Sequence, residues 1–279
     1  MARPYRLPES FPLDVEVVAC DLDRTLIAED VELRVRTRTA IASARAAGIR
    51  VLIVTGRMFR SARPYALAAG IDDPLVCYQG AAVVDPGTGE FLRHEPIPLE
   101  LARETIAFVE SEGFSLNAYV DDELYVARAS PEAKRYAGFQ QLPVHEVGDL
   151  GAWLDAPPTK LVTVGEPEAL DVLEVEMKAR FDGLLHVSRS LPIFLEFSRT
   201  GVTKGSGLAF VADRLGFAYE RTVAFGDGEN DVELLEWAGY AVAVEDAHER
   251  LLGLADHLCP PAEEEGVAQV IEALLRRRP

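Results

Sequence analysis

Two carboxylates one residue apart, Asp21 and Asp23, follow directly on the apolar run Val17-Val18-Ala19-Cys20. From Val15 to Cys20 the chain is apolar and rich in β-branched residues, with Glu16 the one break, as expected of a strand buried on both faces of a parallel sheet. Ligands of open α/β sheets bind beyond the carboxyl ends of the strands, so acids at that edge are placed for chemistry. Three more groups fall at strand ends or helix starts: Thr55 after Val51-Leu52-Ile53-Val54, Lys204 at the head of a helical pattern, and Asp227 with Asp231 after Thr222-Val223-Ala224-Phe225. Carboxylates converging on one crevice about 4 Å apart repel by roughly 4 kcal/mol per pair at an effective dielectric of about 20, so the set requires cations. A hard divalent ion with oxygen ligands, Mg²⁺ for preference, together with the Lys204 ammonium meets that requirement.

Each group also has a plainer reading. Asn230-x-x-Glu233 suits a helix cap, Thr55 suits a turn, and Asp231 complements a helix N-terminus. Lys204 resists such a reading, because a cation in the first turn opposes the helix dipole. Gly205 and Gly207 beside it weaken the helix by up to about 1 kcal/mol each.

The elements that must hold these groups read as alternating strands and helices. The strand at 15–20 is followed by a helix at 35–47 closed by Gly48, a strand at 51–54, a helix at 58–69 ended by Gly70, and a strand at 75–78. That order is the signature of a doubly wound, Rossmann-like parallel sheet. After 82 the rhythm changes. A hairpin around Pro86-Gly87, a helix at 99–112, strands at 114–120 and 124–129, a short helix at 131–139, a strand at 160–164, a helix at 166–181 and strands at 184–187 and 193–197 form an α-β-β unit occurring twice, with other elements between. This is an α+β domain of its own. The α/β rhythm resumes after 198, which predicts a core of residues 1–82 and 200–279 with residues 83–199 inserted.

A length of 279 residues and an apolar share of 48% suit two globular domains. A net charge of −18 argues against nucleic-acid partners, and no run of eighteen apolar residues suggests a membrane span. The opening residues lack a signal-peptide core, and Cys20, Cys77 and Cys259 read as buried reduced thiols, so the expected location is the cytoplasm. In so acidic a protein a phosphate site must be built from a metal ion, backbone N–H groups and a few placed cations.

Four motifs carry a resemblance to the haloacid dehalogenase superfamily of phosphatases: Asp21-Leu22-Asp23-Arg24-Thr25-Leu26, Val54-Thr55-Gly56-Arg57, Gly201-Val202-Thr203-Lys204-Gly205 and Gly226-Asp227-Gly228-Glu229-Asn230-Asp231. The insertion between the second and third is similar to the large cap of the Cof-type (class IIB) branch. Arg24 departs from the Gly usual in the first motif, and Gln79 from the Asn frequent before Gly80-Ala81. The resemblance implies that Asp21 is a nucleophile that becomes an aspartyl-phosphate and that Asp23 is the acid and base. It makes Thr55, Gly56 and Lys204 the phosphate ligands. Mg²⁺ would be held by Asp21, the backbone carbonyl of Asp23 and Asp227, supported by Asn230 and Asp231. Arg57, Gln79 and Gly80 become candidate substrate contacts, and Arg189, read as part of a turn at 188–190, a candidate cation for the leaving group. The implied activity is hydrolysis of a small phosphorylated metabolite. A phosphomutase would use the same groups, and a non-catalytic binder of phosphometabolites would share the fold. The substrate and the oligomeric state stay open.

Overall fold

The structure, a computed structural model, describes residues 5–140 and 143–278. The chain starts with β1 (Val17–Cys20), α1 (Val35–Ala46), β2 (Arg50–Ile53), α2 (Phe59–Ala69), β3 (Leu75–Cys77), β4 (Ala82–Val84) and β5 (Phe91–His94). It continues through α3 (Leu99–Ser111), β6 (Leu116–Val120), β7 (Glu123–Val126), α4 (Pro131–Gln140), β8 (His145–Glu146), α5 (Leu150–Trp153), β9 (Lys160–Val164), α6 (Pro167–Arg180), β10 (Leu185–Leu191) and β11 (Phe194–Arg199). It ends with α7 (Lys204–Leu215), β12 (Thr222–Gly226), α8 (Val232–Trp237), β13 (Tyr240–Val244), α9 (Glu249–Leu254), β14 (His257–Cys259) and α10 (Gly266–Arg277).

Two compact units result. The first holds the described residues up to Gly56, Ala62–Leu92 and those from Thr203 onward; the second holds Arg57–Ser61 and Arg93–Val202. The first is built on a parallel sheet in the order β14-β13-β12-β1-β2, as a doubly wound chain requires. Its middle strands have no polar face to offer. Every residue of β1, β12 and β13 is buried, which is why they read as continuous apolar runs rather than as alternation. A bridge between Val54 and Val76 carries the sheet on towards β3.

The expected hairpin of β4 and β5 forms, and its first strand also pairs with the strand before it. Leu75, Val76 and Cys77 of β3 face Val84, Val83 and Ala82 of β4, and β4 belongs to the first compact unit. The physical reason is burial: all three β4 residues are apolar and covered, and α7 packs on this strand.

The inserted unit carries a six-stranded sheet in the order β10-β11-β9-β6-β7-β8. Leu116, Ala118, Leu161, Leu195 and Phe197 project from one face into Ala102, Ile106 and Val109 of α3 and Leu170, Leu173 and Met177 of α6. Burial of each large side chain there contributes roughly 1.5–3 kcal/mol. The alternate residues Asn117, Tyr119, Lys160 and Glu196 lie on the other face and are also buried. Lys160 Nζ donates to Glu196 Oε2 at 3.2 Å, and Tyr119 Oη to Tyr136 Oη of α4 at 2.5 Å. The second α-β-β repeat is α6-β10-β11, but β10 runs on to Leu191. Position 189 is therefore within a strand rather than in the expected turn, which falls after it. No helix among the described residues is long and apolar enough to cross a membrane.

Candidate active site

Parallel register places the carboxyl ends of three adjacent strands side by side, with Cys20 level with both Phe225 of β12 and Ile53 of β2. Asp21 follows Cys20, Asp227 follows the end of β12, and Thr55 follows β2 with Val54 between. Backbone bonds fix Asp21 and the stretch leading to Thr55. The Asp21 N–H donates to the Phe225 carbonyl at 3.0 Å, Val54 N–H to the Cys20 carbonyl at 2.8 Å, and Thr55 N–H to the Val76 carbonyl at 2.8 Å. Strand order reverses here, with β2 on one side of β1 and β12 on the other, which is the crevice that open α/β sheets use for ligands.

Lys204 enters from the first turn of α7. Thr203 caps that helix, its hydroxyl accepting from the Ser206 N–H at 3.1 Å while the Ser206 hydroxyl accepts from the Thr203 N–H at 3.0 Å. The glycine that weakens this helix is explained by packing. A Cβ at Gly205 would stand 2.2 Å from the Glu233 carbonyl oxygen, and one at Gly80 would stand 2.1 Å from the Thr203 carbonyl oxygen. Only with hydrogen at both positions does α7 dock closely enough to deliver the lysine. There Lys204 Nζ, 1% exposed, donates to Asp21 Oδ1 and to Asp231 Oδ1, each at 2.5 Å.

Asp231 binds the loop as well as the lysine. Its Oδ2 accepts from the backbone N–H groups of Asp227 at 3.1 Å and Gly228 at 3.0 Å. Both of its oxygens are therefore engaged, which makes it a support for Asp227 and Lys204. Asp227 Oδ1 accepts from the Thr25 hydroxyl at 3.2 Å, a contact that sequence reading missed although Thr25 lies within the first motif.

Asp21, Asp227 and Asp231 are all buried, and one oxygen of each lies within 4.8 Å of the others. Three carboxylates share this space with one buried ammonium, and their acidities follow. Burial pushes the Asp21 carboxyl well above its ordinary range; Lys204 pulls it back, and the charges of Asp231, Asp227 and Asp23 push it further up. Asp227 is pushed up to about 7 by burial and by Asp231, against the pull of Lys204, Arg24 and the Thr25 hydroxyl. Burial alone would lower Lys204, but Asp21 and Asp231 outweigh it and hold the ammonium protonated. An all-oxygen donor set with surplus negative charge fits a hard divalent cation, and Asp21 and Asp227 are the residues positioned to ligate one.

The other sequence candidates are distributed. Asp23 is half-buried at the end of β1. The Gln79 side chain covers Gly56 and accepts at Oε1 from Asn230 Nδ2 at 3.2 Å, so these three lie together in the first unit. Gly80 packs against the α7 cap. Arg57 clusters with the inserted unit, buried, with Nη1 donating to Ser61 Oγ at 3.3 Å. Arg189 is spent within that unit: its Nη2 donates to Asp171 Oδ1 at 2.9 Å, Nε to Glu174 Oε2 at 3.0 Å and Nη1 to the Pro192 carbonyl at 2.6 Å. These three bonds tie the guanidinium to α6 and to the turn after β10.

Residues 18–271 match the family of haloacid dehalogenase-like hydrolases. In sequence the chain is 28% identical over 267 residues to the 5-amino-6-(5-phospho-D-ribitylamino)uracil phosphatase YitU of Bacillus subtilis (strain 168), covering 92% of this chain and 96% of that one. It is likewise 28% identical over 274 residues to the pyridoxal phosphate phosphatase YbhA of Escherichia coli (strain K12), covering 93% and 98%. In structure it is similar to TM0651 from Thermotoga maritima, with a TM-score of 0.82, 31% identity and coverage of 92% and 97%. A haloacid dehalogenase-like hydrolase from Bacteroides thetaiotaomicron gives a TM-score of 0.85 at 26% identity, covering 92% and 98%. The chain belongs to the haloacid dehalogenase-like hydrolases, with the Rossmann-like core and inserted cap of that family. Within it the chain is a phosphoric monoester hydrolase of the Cof type, in a group whose relatives are named for phosphorylated small metabolites.

Proposed function

We propose that this chain is a Mg²⁺-dependent phosphatase that hydrolyses a small phosphorylated metabolite, a sugar phosphate or a cofactor phosphate, through an aspartyl-phosphate on Asp21. The observation that carries this reading is the buried set in which Lys204 holds Asp21 and Asp231 at 2.5 Å beside Asp227. One Asp21 carboxylate oxygen attacks phosphorus, and the bond to the leaving oxygen breaks as Asp23 supplies its proton. Asp23 then takes a proton from water, whose oxygen attacks the acyl-phosphate and returns Asp21 as a carboxylate. Thr55, Gly56 and Lys204 hold the phosphoryl oxygens. Asp21, the backbone carbonyl of Asp23 and Asp227 would hold Mg²⁺, with Asp231 and Asn230 behind them; when bound, the ion supplies neutralisation of charge on the transferring group.

Phosphate release from a panel of phosphorylated metabolites, with Mg²⁺ and with excess EDTA, tests this reading. Release from several esters that stops in EDTA is expected. No release from any ester, or full release in chelator, would overturn it.

Stability should report the same site without a substrate. Asp227 moves from an ordinary value of 3.8 in the unfolded chain to about 7 in the fold, so the folded state holds more protons between those values. Its contribution is complete below pH 3.8 and lost as pH rises through about 7, an effect on the order of a few kcal/mol. The thermal stability of metal-free protein is therefore expected to fall between pH 3.8 and about 7 and to level off above that. Saturating Mg²⁺ should flatten that fall, because a bound cation favours the ionised carboxylates. An equal fall with and without Mg²⁺ would place the metal elsewhere.

A further inference from the structure

Arg24 is the first motif's departure from the family pattern, and its backbone lies at φ 57°, a left-handed conformation that glycine adopts freely and that disfavours a residue with a side chain. An arginine kept there needs a compensating role. Its Nη1 lies 3.7 Å from Asp227 Oδ2, and its Nη2 lies 3.4 Å from Asp246 Oδ2. Asp227 itself is buried, with its other oxygen already accepting from Thr25, so the guanidinium stands over the one oxygen of this carboxylate that the Thr25 hydroxyl leaves. The Arg24 side chain is 44% exposed, as Asp246 is at 50%, so the bridge is at the solvent side of the buried cluster.

We propose that Arg24 is a resident counter-ion of Asp227 that competes with Mg²⁺ and so sets the metal affinity of the site. The inference rests on the reading of Asp227 as a metal ligand. Without the ion, the guanidinium offsets part of the surplus negative charge that Lys204 alone does not balance. With the ion, the same positive charge opposes a second cation at the same carboxylate, and Asp246 keeps the guanidinium in place when Asp227 serves the metal. A bound Mg²⁺ is thus weaker here than in a site with glycine at position 24. Because the arginine is half exposed, solvent and salt screen it, and the expected effect is about three- to tenfold in the dissociation constant at low ionic strength.

The test is calorimetric titration of Mg²⁺ into metal-free protein, without substrate, for wild type, Arg24→Gln and Arg24→Gly. Arg24→Gln removes the charge and keeps the length and the backbone strain; Arg24→Gly removes both and serves if the glutamine variant does not fold. Tighter binding in the variant by about three- to tenfold, with a difference that shrinks in about 0.5 M salt, is the expected result. A dissociation constant within about twofold of wild type, or a weaker one, overturns the role of Arg24. Wild type that binds no Mg²⁺ overturns instead the metal reading on which it rests.

Discussion

Asp21→Asn is expected to leave no measurable turnover, a loss of at least about a thousandfold, while the fold stands. The amide keeps the shape of the side chain and removes the nucleophilic oxygen. The stability outcome separates this loss from misfolding. Asp21 is buried among like charges, and its carboxyl sits well above the ordinary range, so the ionised form is the costly one in the fold. Replacing it with a neutral group should leave the metal-free protein as stable as wild type, or more stable, above about pH 7. Lys204 keeps Asp231 as a partner. Two measurements check this: phosphate release with a good substrate, and denaturant unfolding at pH 8 without metal. For wild type, a rapid acid quench during turnover should trap phosphate, labile to hydroxylamine, on the peptide bearing Asp21. Activity in the variant above about one hundredth of wild type, or trapped phosphate on another residue, would refute Asp21 as nucleophile.

The parts of the site legible in sequence are those that local chemistry determines. An apolar run ending in polar residues identifies Asp21, Asp227 and Thr55 as residues at strand ends, because a strand buried on both faces ends where the chain reaches a polar crevice. The position of Lys204 at a helix start beside glycines is equally visible, but its explanation is not. It lies in the Glu233 and Thr203 carbonyls, which a Cβ at Gly205 or Gly80 would strike, and those neighbours are remote in the chain. The same limit applies elsewhere in the chain. Arg189 suits a turn until α6 supplies Asp171 and Glu174 to hold it along a strand. The strands β4 and β5 look like the opening of the insertion until β4 pairs with β3. Thr25 and Arg24 stand in a quoted motif, yet nothing local says that both reach Asp227, some two hundred residues away.

Removal of the buried ammonium should be the most damaging change to the fold at this site. Lys204→Met fits the alkyl stem into its path and deletes the charge that holds Asp21 and Asp231 together. Two carboxylates are then left in a buried space with their shared partner gone, and breaking such a pair costs about 3–5 kcal/mol. The sign of the pH dependence follows from the same geometry. Lys204 pulls the Asp21 carboxyl down, so its loss raises that group further above its ordinary range. A raised folded-state value means stability that is complete in acid and lost as pH rises through it, so the variant should approach wild type near pH 5 and fall far below it at pH 8. Urea unfolding at the two pH values, without metal, measures this directly. Turnover should fall at least about a thousandfold, and Mg²⁺ should restore stability more than activity, since a cation can neutralise the carboxylates without holding the phosphoryl oxygens as the ammonium does. A variant as stable as wild type at pH 8, or one with near-normal turnover, would mean that Lys204 does not counter-charge this site.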